Sequence, residues 1–175
     1  MARAESYYIL LAIATLLDWD IEQVDIDTAF LYRDIDNEVY VKILGGLFID
    51  LLDRKTIVYC LLKSLYGFKQ APKIWFNTLR KALEEIGLKR LDTEHLVYVL
   101  LQRQGKKPQG VFVGPDLVIA VYVDDIIIIG QHKTIINDFK SQLSKKFNIK
   151  DIGEATDYLG IEIVQNRAAG TLKIH

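Results

Sequence analysis

The sequence predicts an α+β fold: one domain over residues 1–175, built on a mainly antiparallel sheet with helices packed on one face. Three observations lead there. Residues 117–130 set two almost wholly apolar, β-branched stretches on either side of Asp124-Asp125, which reads as two buried strands joined at the aspartates. Residues 20–27 alternate Ile21, Val24 and Ile26 with Glu22, Asp25 and Asp27, which reads as a further strand. Three other stretches carry helical signals: 7–18, 72–86 and 134–147.

In chain order, Tyr7 to Asp18 is a helix apolar around most of its circumference, and therefore well buried. The strand over 21–27 ends at Thr28-Ala29-Phe30, and Glu38 to Lys42 is a short second strand. Gly45-Gly46 marks a loop, followed by an apolar strand over 57–62. Pro72 suits a first helical turn, and Ile74, Leu79, Leu83 and Ile86 form the apolar stripe of that helix up to Gly87. His95 to Gln102 reads as a strand, 104–110 as a loop and 111–113 as a short strand, before the turn signal Gly114-Pro-Asp116. Thr134 to Phe147 is an amphipathic helix with Ile135, Ile136, Phe139, Leu143 and Phe147 on one face. Tyr158–Gln165 and Thr171–Ile174 form a last hairpin around residues 166–170.

Composition narrows the function class. Half of the 175 residues are hydrophobic, which excludes a disordered chain. The stretch from Tyr7 to Leu17 is too short to span a bilayer and lacks the flanks of a signal peptide, so no membrane role is expected. Cys60 is the only cysteine and reads as a small buried core residue. His95 and His132 lack partners at zinc-ligand spacing, and no phosphate-binding glycine loop occurs. Net charge is −1, but it is unevenly spread. Residues 18–53 hold ten acids against Arg33 and Lys42, whereas residues 54–83 hold seven bases and no acid. Lys63, Lys69 and Lys73 are interleaved with Tyr66, Phe68 and Trp75, a pattern shared by nucleic-acid contacts and by ordinary charged surface.

The chemistry concentrates at Asp124-Asp125. Tight hairpins favour Asn-Gly or Asp-Gly, so Val-Asp-Asp is poor turn chemistry. Adjacent carboxylates also repel, and one takes up a proton unless a cation lies between them. A hard divalent cation removes both objections; the alternative is a solvated acidic hairpin tip. Asp25, at the end of its own strand, would extend such a site into the carboxylate cluster that two-metal phosphoryl transfer needs. Sequence spacing alone does not bring Asp25 to Asp124.

These segments carry a resemblance. Gln23-Val-Asp-Ile-Asp-Thr-Ala-Phe-Leu31, Lys63-Ser-Leu-Tyr-Gly-Phe-Lys-Gln-Ala-Pro-Lys-Ile-Trp75, Tyr122-Val-Asp-Asp125, Phe147-Asn-Ile-Lys-Asp-Ile-Gly153 and Tyr158-Leu-Gly-Ile-Glu-Ile163 occur in this order. They resemble the motifs of the reverse transcriptases of copia-type LTR retrotransposons over nearly the whole chain. The resemblance implies a palm-type sheet, part of a right-hand polymerase, with incomplete fingers and without thumb or ribonuclease H in these 175 residues. It implies RNA-directed DNA synthesis, with Asp25, Asp124 and Asp125 as catalytic residues and ligands of two Mg²⁺ ions, for which Mn²⁺ can substitute.

Further roles follow by the same resemblance. Phe30 would exclude a sugar 2′-hydroxyl, and Tyr66, Gly67, Lys69, Gln70 and Tyr122 would face nucleotide, template or primer. Leu159 and Gly160 would grip the primer end, and Lys150 occupies the position of a proton donor to pyrophosphate. Expected partners are an RNA or DNA template with its primer, deoxynucleoside triphosphates, and the integrase and ribonuclease H of a polyprotein. The expected location is intracellular, in a cytoplasmic virus-like particle or the nucleus. Two departures stand out: Tyr32-Arg33 replaces the family's Asn-Gly, and residues 42–48 do not match its Gln-Pro-x-Gly-Phe segment. The alternative is therefore a folded but inactive remnant of a retroelement polyprotein. A palm-fold nucleotidyl cyclase would need neither Leu-Tyr-Gly-Phe-Lys-Gln-Ala-Pro nor Leu-Gly-Ile-Glu-Ile.

Overall fold

A computed structural model of the chain describes residues 4–27, 29, 34–42, 58–63, 71–101 and 115–175, and the side chains of these except 34–37. The chain divides into two compact units, residues 28–78 and the remainder. The expected loop and strand over 104–113 lie outside the described residues.

The larger unit is built on a six-stranded antiparallel sheet. Its strands are β1 (Asp20–Ile26), β4 (Lys89–Arg90), β5 (Val97–Leu100), β6 (Leu117–Tyr122), β7 (Asp125–Gly130) and β8 (Ile149–Glu154), in the order β4-β5-β6-β7-β1-β8. The acidic strand β1 therefore lies between β7 and β8. Strand β8 has no counterpart in the sequence-based expectation. It is mostly exposed on the sheet edge, so it lacks the apolar pattern by which a strand is recognised.

Helices cover both faces of this sheet, which corrects the expectation of one covered face. Helix α1 (Ala4–Leu16) packs Tyr7, Leu11 and Ala14 against Ile21, Val118, Ala120, Ile127 and Ile129. Strand alternation turns Glu22, Ile126 and Ile128 to the other side. There Lys140 of helix α3 (Lys133–Ser144) bonds Glu22, and Lys146 pairs with Glu85 at 2.5 Å. Glu85 lies near the end of helix α2 (Ala71–Ile86). Double coverage is the physical reason for the unbroken run Ile126-Ile127-Ile128-Ile129: each is at most 1% exposed, so no position tolerates a polar side chain.

Gly130 closes the run at a crowded point. A Cβ there would lie 2.8 Å from Ile136 Cγ1 and 3.4 Å from Leu117 Cδ1. Ile136 is fully buried and has no room to move away. Gly130→Ala should therefore destabilise the chain by about 1–3 kcal/mol, read as a lower urea midpoint.

The C-terminal segment forms a three-stranded sheet of β9 (Asp157–Tyr158), β10 (Ile161–Asn166) and β11 (Thr171–Ile174), in the order β11-β10-β9. The expected single strand over 158–165 is broken by a two-residue turn. Leu159 (φ 56°) and Gly160 (φ 77°) both adopt the left-handed region that such hairpin turns require. Tyr158 and Ile163 join the core cluster under α1, so this sheet shares the face that α1 covers. Arg167 ties it to the start of β1, with Nη1 2.6 Å from Asp20 Oδ1 and Nε 2.7 Å from Asp18 Oδ1.

The smaller unit contains a two-stranded ribbon, β2 (Asp34–Lys42) with β3 (Val58–Lys63). Cys60 lies exposed on β3, which corrects its assignment to the core. Every described side chain of β3 except Leu61 is exposed, so apolar character here did not translate into burial. No described helix is long and apolar enough to cross a membrane.

Candidate active site

The sheet order juxtaposes three residues that are far apart in sequence. In the β7-β1-β8 register, Asp125 stands opposite Asp25, and Asp25 stands opposite Lys150. A register shift between Gln23 and Val24 sets this alignment: Gln23 faces Gly153, Val24 faces Asp151, and Ile152 is passed over. Such a bulge re-aims the side chains beside it.

The hairpin joins β6 to β7 through Val123 and Asp124, closed by the pair Tyr122–Asp125. Asp125 is thus the first residue of β7, which corrects its reading as a turn residue. Val123 has φ 56°, so the first central turn position is left-handed, where glycine is the usual occupant. A β-branched residue there is strained, and strain of this kind concentrates at functional turns. Ile26 N–H donates to Asp124 O at 3.0 Å, which ties the turn to the end of β1. Val123→Gly should relieve strain of about 1–2 kcal/mol against a glycine entropy cost of about 0.5–1 kcal/mol. A net gain near ~0.5 kcal/mol in urea unfolding is expected.

Burial and like charge together set the site's electrostatics. Burial holds the Asp25 carboxyl above the usual carboxylate range; Asp124, Asp125 and Asp27 push it further, and Lys150 opposes them. Burial also raises Asp125, with Asp124 adding to it and the Gln23 side chain opposing. That opposition is a hydrogen bond from Gln23 Nε2 to Asp125 Oδ1 at 3.2 Å. Asp27 accepts a hydrogen bond from Asn148 Nδ2 at 2.7 Å. Beneath the hairpin, Tyr7 Oη donates to Val121 O at 3.2 Å, and its ring lies 5.3 Å from that of Tyr158 at 55°. Burial pushes the Tyr7 phenol up to about 12 and raises Tyr158 as well.

Carboxylates are suitable donors for a hard divalent cation, and the mutual repulsion of these is the charge pattern a cation relieves. Among the described residues, however, no three His, Cys, Asp or Glu side chains are gathered closely enough to hold a metal. The fit is thus one of donor type and charge; the carboxylates still have to draw together around an ion.

The other expected site residues divide three ways. Tyr122 is half-buried against the α1 core cluster, directly across from Asp125. Lys150 is exposed on the edge strand, and Leu159 and Gly160 form the exposed β9–β10 turn. Phe30, Tyr66, Gly67, Lys69 and Gln70 lie outside the described residues. Gln23 escaped assignment as a site residue. Its signal was its position two residues before Asp25, on the same strand face.

Comparison with known proteins points to one family. The family described as "Reverse transcriptase (RNA-dependent DNA polymerase)" matches residues 1–175. The chain is 32% identical over 163 residues, 93% of its length, to the retrovirus-related Pol polyprotein from transposon TNT 1-94 of Nicotiana tabacum. It is 36% identical over 160 residues, 91% of its length, to the retrovirus-related Pol polyprotein from transposon RE1 of Arabidopsis thaliana. It spans only 11% and 10% of those two proteins.

Proposed function

Since the chain belongs to the reverse transcriptase (RNA-dependent DNA polymerase) family, we propose that it is the palm of an RNA-directed DNA polymerase of a copia-type retrotransposon. In this reading Asp25, Asp124 and Asp125 hold two Mg²⁺ ions and support transfer of a deoxynucleotide to a primer 3′-hydroxyl. One observation carries it: Asp25 and Asp125 face each other across neighbouring strands, both raised by burial and by like charge. Like charges directly opposite on a sheet are destabilising, so a fold that retains them has a use for the charge.

Bound divalent ions would supply Lewis-acid activation of the hydroxyl and neutralise the triphosphate. The chain's own residues do the rest. Asp25 and Asp125 present their carboxylates from rigid strands, and the Ile26–Asp124 backbone bond holds the turn beside them. Lys150, opposite Asp25 in register, would approach the pyrophosphate side of a nucleotide and give it a proton. Tyr122, with Phe30, Tyr66, Gly67, Lys69 and Gln70, would contact nucleotide, template and primer, and the Leu159-Gly160 turn would hold the primer end. The remaining domains of a polyprotein, integrase and ribonuclease H among them, would be covalent partners.

A second reading, a folded remnant without turnover, draws on one observation: no three ligand side chains among the described residues are preassembled for a metal. Metal-dependent extension of a DNA primer on an RNA template by the purified chain separates the two. Extension that the Asp124→Asn, Asp125→Asn double variant loses supports the polymerase. A folded chain that neither extends primer nor binds Mn²⁺ supports the remnant.

A further inference from the structure

We infer that Gln23 is a positioning residue that fixes one oxygen of the Asp125 carboxylate, so that the other can turn to a metal ion. The inference rests on the metal-site reading above and extends it to a residue outside the carboxylate set. Gln23 lies on β1 two residues before Asp25, so both side chains emerge on one face of the strand. It pairs in register with Ile127 while Asp25 pairs with Asp125, which makes Gln23 the diagonal neighbour of Asp125. Diagonal neighbours are within reach of a long side chain, and Nε2 reaches Oδ1 at 3.2 Å.

Two features mark this as more than packing. Gln23 is 7% exposed, a place where a polar side chain is disfavoured unless satisfied. Its other polar atom, Oε1, is buried without a hydrogen-bond partner among the described residues. An apolar side chain of the same length would leave no such orphan atom, and would give up only the bond to Asp125. What glutamine adds is one N–H aimed at a carboxylate that like charge would otherwise turn away from its neighbours. A neutral donor suits the task, because it fixes the carboxylate without neutralising it and leaves Oδ2 free for an ion. Groups that orient metal ligands in this way typically change metal affinity by about 10–100-fold when removed.

The test is Mn²⁺ binding to the 175-residue chain, followed by electron paramagnetic resonance of the free ion, with urea unfolding alongside. Wild type, Gln23→Met and Asp125→Asn are compared. The expected result is Mn²⁺ binding roughly ten-fold weaker in Gln23→Met, in a chain that urea unfolding shows to remain folded, and abolished in Asp125→Asn. A merely structural glutamine predicts a change in stability with unchanged affinity. Unchanged affinity in Gln23→Met, with loss in Asp125→Asn, overturns the inference and leaves the metal site standing. Absence of Mn²⁺ binding in wild type overturns both. Should Gln23→Met not fold, the wild-type chain still decides. The side-chain amide resonances of Gln23 should shift on adding Mg²⁺, and should not shift in Asp125→Asn; resonances indifferent to Mg²⁺ in wild type overturn the inference.

Discussion

Asp125→Asn is expected to abolish primer extension while making the chain more stable. Loss of a ligand that acts only when the reacting groups are assembled should lower extension by about 10³-fold or more. Stability should move the other way, because the partly buried Asp125 carboxylate stands opposite Asp25 and beside Asp124. Removing one of two directly opposed like charges is worth on the order of 0.5–1 kcal/mol. The pH dependence has a definite sign. Burial and neighbouring carboxylates raise Asp25 and Asp125 in the folded chain. A carboxyl raised on folding contributes stability that is fully present below its unfolded value, about 3.9 for Asp. That contribution is lost as pH rises through the folded value. In metal-free buffer the urea midpoint advantage of Asp125→Asn over wild type should therefore grow from about pH 4 towards pH 7. An advantage that shrinks or stays flat over that range would show that the Asp125 carboxyl is not raised in the folded chain. Asp151, by contrast, is held below the usual range. Burial works against this, but the Lys140 ammonium and the Gly153 N–H outweigh it. Its contribution is lost as pH falls, equally in both proteins, so the difference between them reports the burial of the Asp125 carboxylate and its repulsion by neighbouring carboxylates.

Lys140→Met should cost about 3–5 kcal/mol of stability, the largest structural effect expected of a single substitution here. Lys140 is 6% exposed on the inner face of α3, where its Nζ donates to Glu22 Oε2 at 2.6 Å and also to Asp151 Oδ1. Glu22 is itself 6% exposed, so removing the ammonium strands a carboxylate in the interior. Lys133, 3.9 Å from Glu22 Oε1 but half-exposed, offsets only part of the loss. A buried pair replaced as a pair behaves differently, because no charge is then left unmatched. Lys140→Met combined with Glu22→Leu should recover most of the deficit. A double-mutant cycle in urea gives the coupling directly. Additive losses would show that the two side chains do not depend on each other.

The two polar clusters differ in how far they were legible beforehand. Asp124 and Asp125 broke the local rules of an apolar strand pair, so their unusual character shows in one dimension. Lys140 and Glu22 look like ordinary surface residues of a helix and a strand. Their burial depends on which way α3 faces and which strand lies under it, and a periodicity of 3.6 set against one of 2 does not carry that. The four isoleucines of β7 already contained the coverage of both sheet faces. A half-exposed strand alternates; this one does not.

What the sequence determined by itself is local: the helices α1, α2 and α3, the β6–β7 pair, the candidate aspartates and the family motifs. Each follows from neighbours within a few residues, through side-chain period, turn chemistry and charge. The tertiary structure alone decided the rest. It inserted β1 between β7 and β8, passed over Ile152 so that Lys150 meets Asp25, and brought Gln23 within reach of a carboxylate 102 positions along the chain. Strand pairing joins segments by backbone hydrogen bonds that are the same for every sequence. The order and register that build the site are therefore selected by the packing of whole faces, which no short stretch of residues encodes.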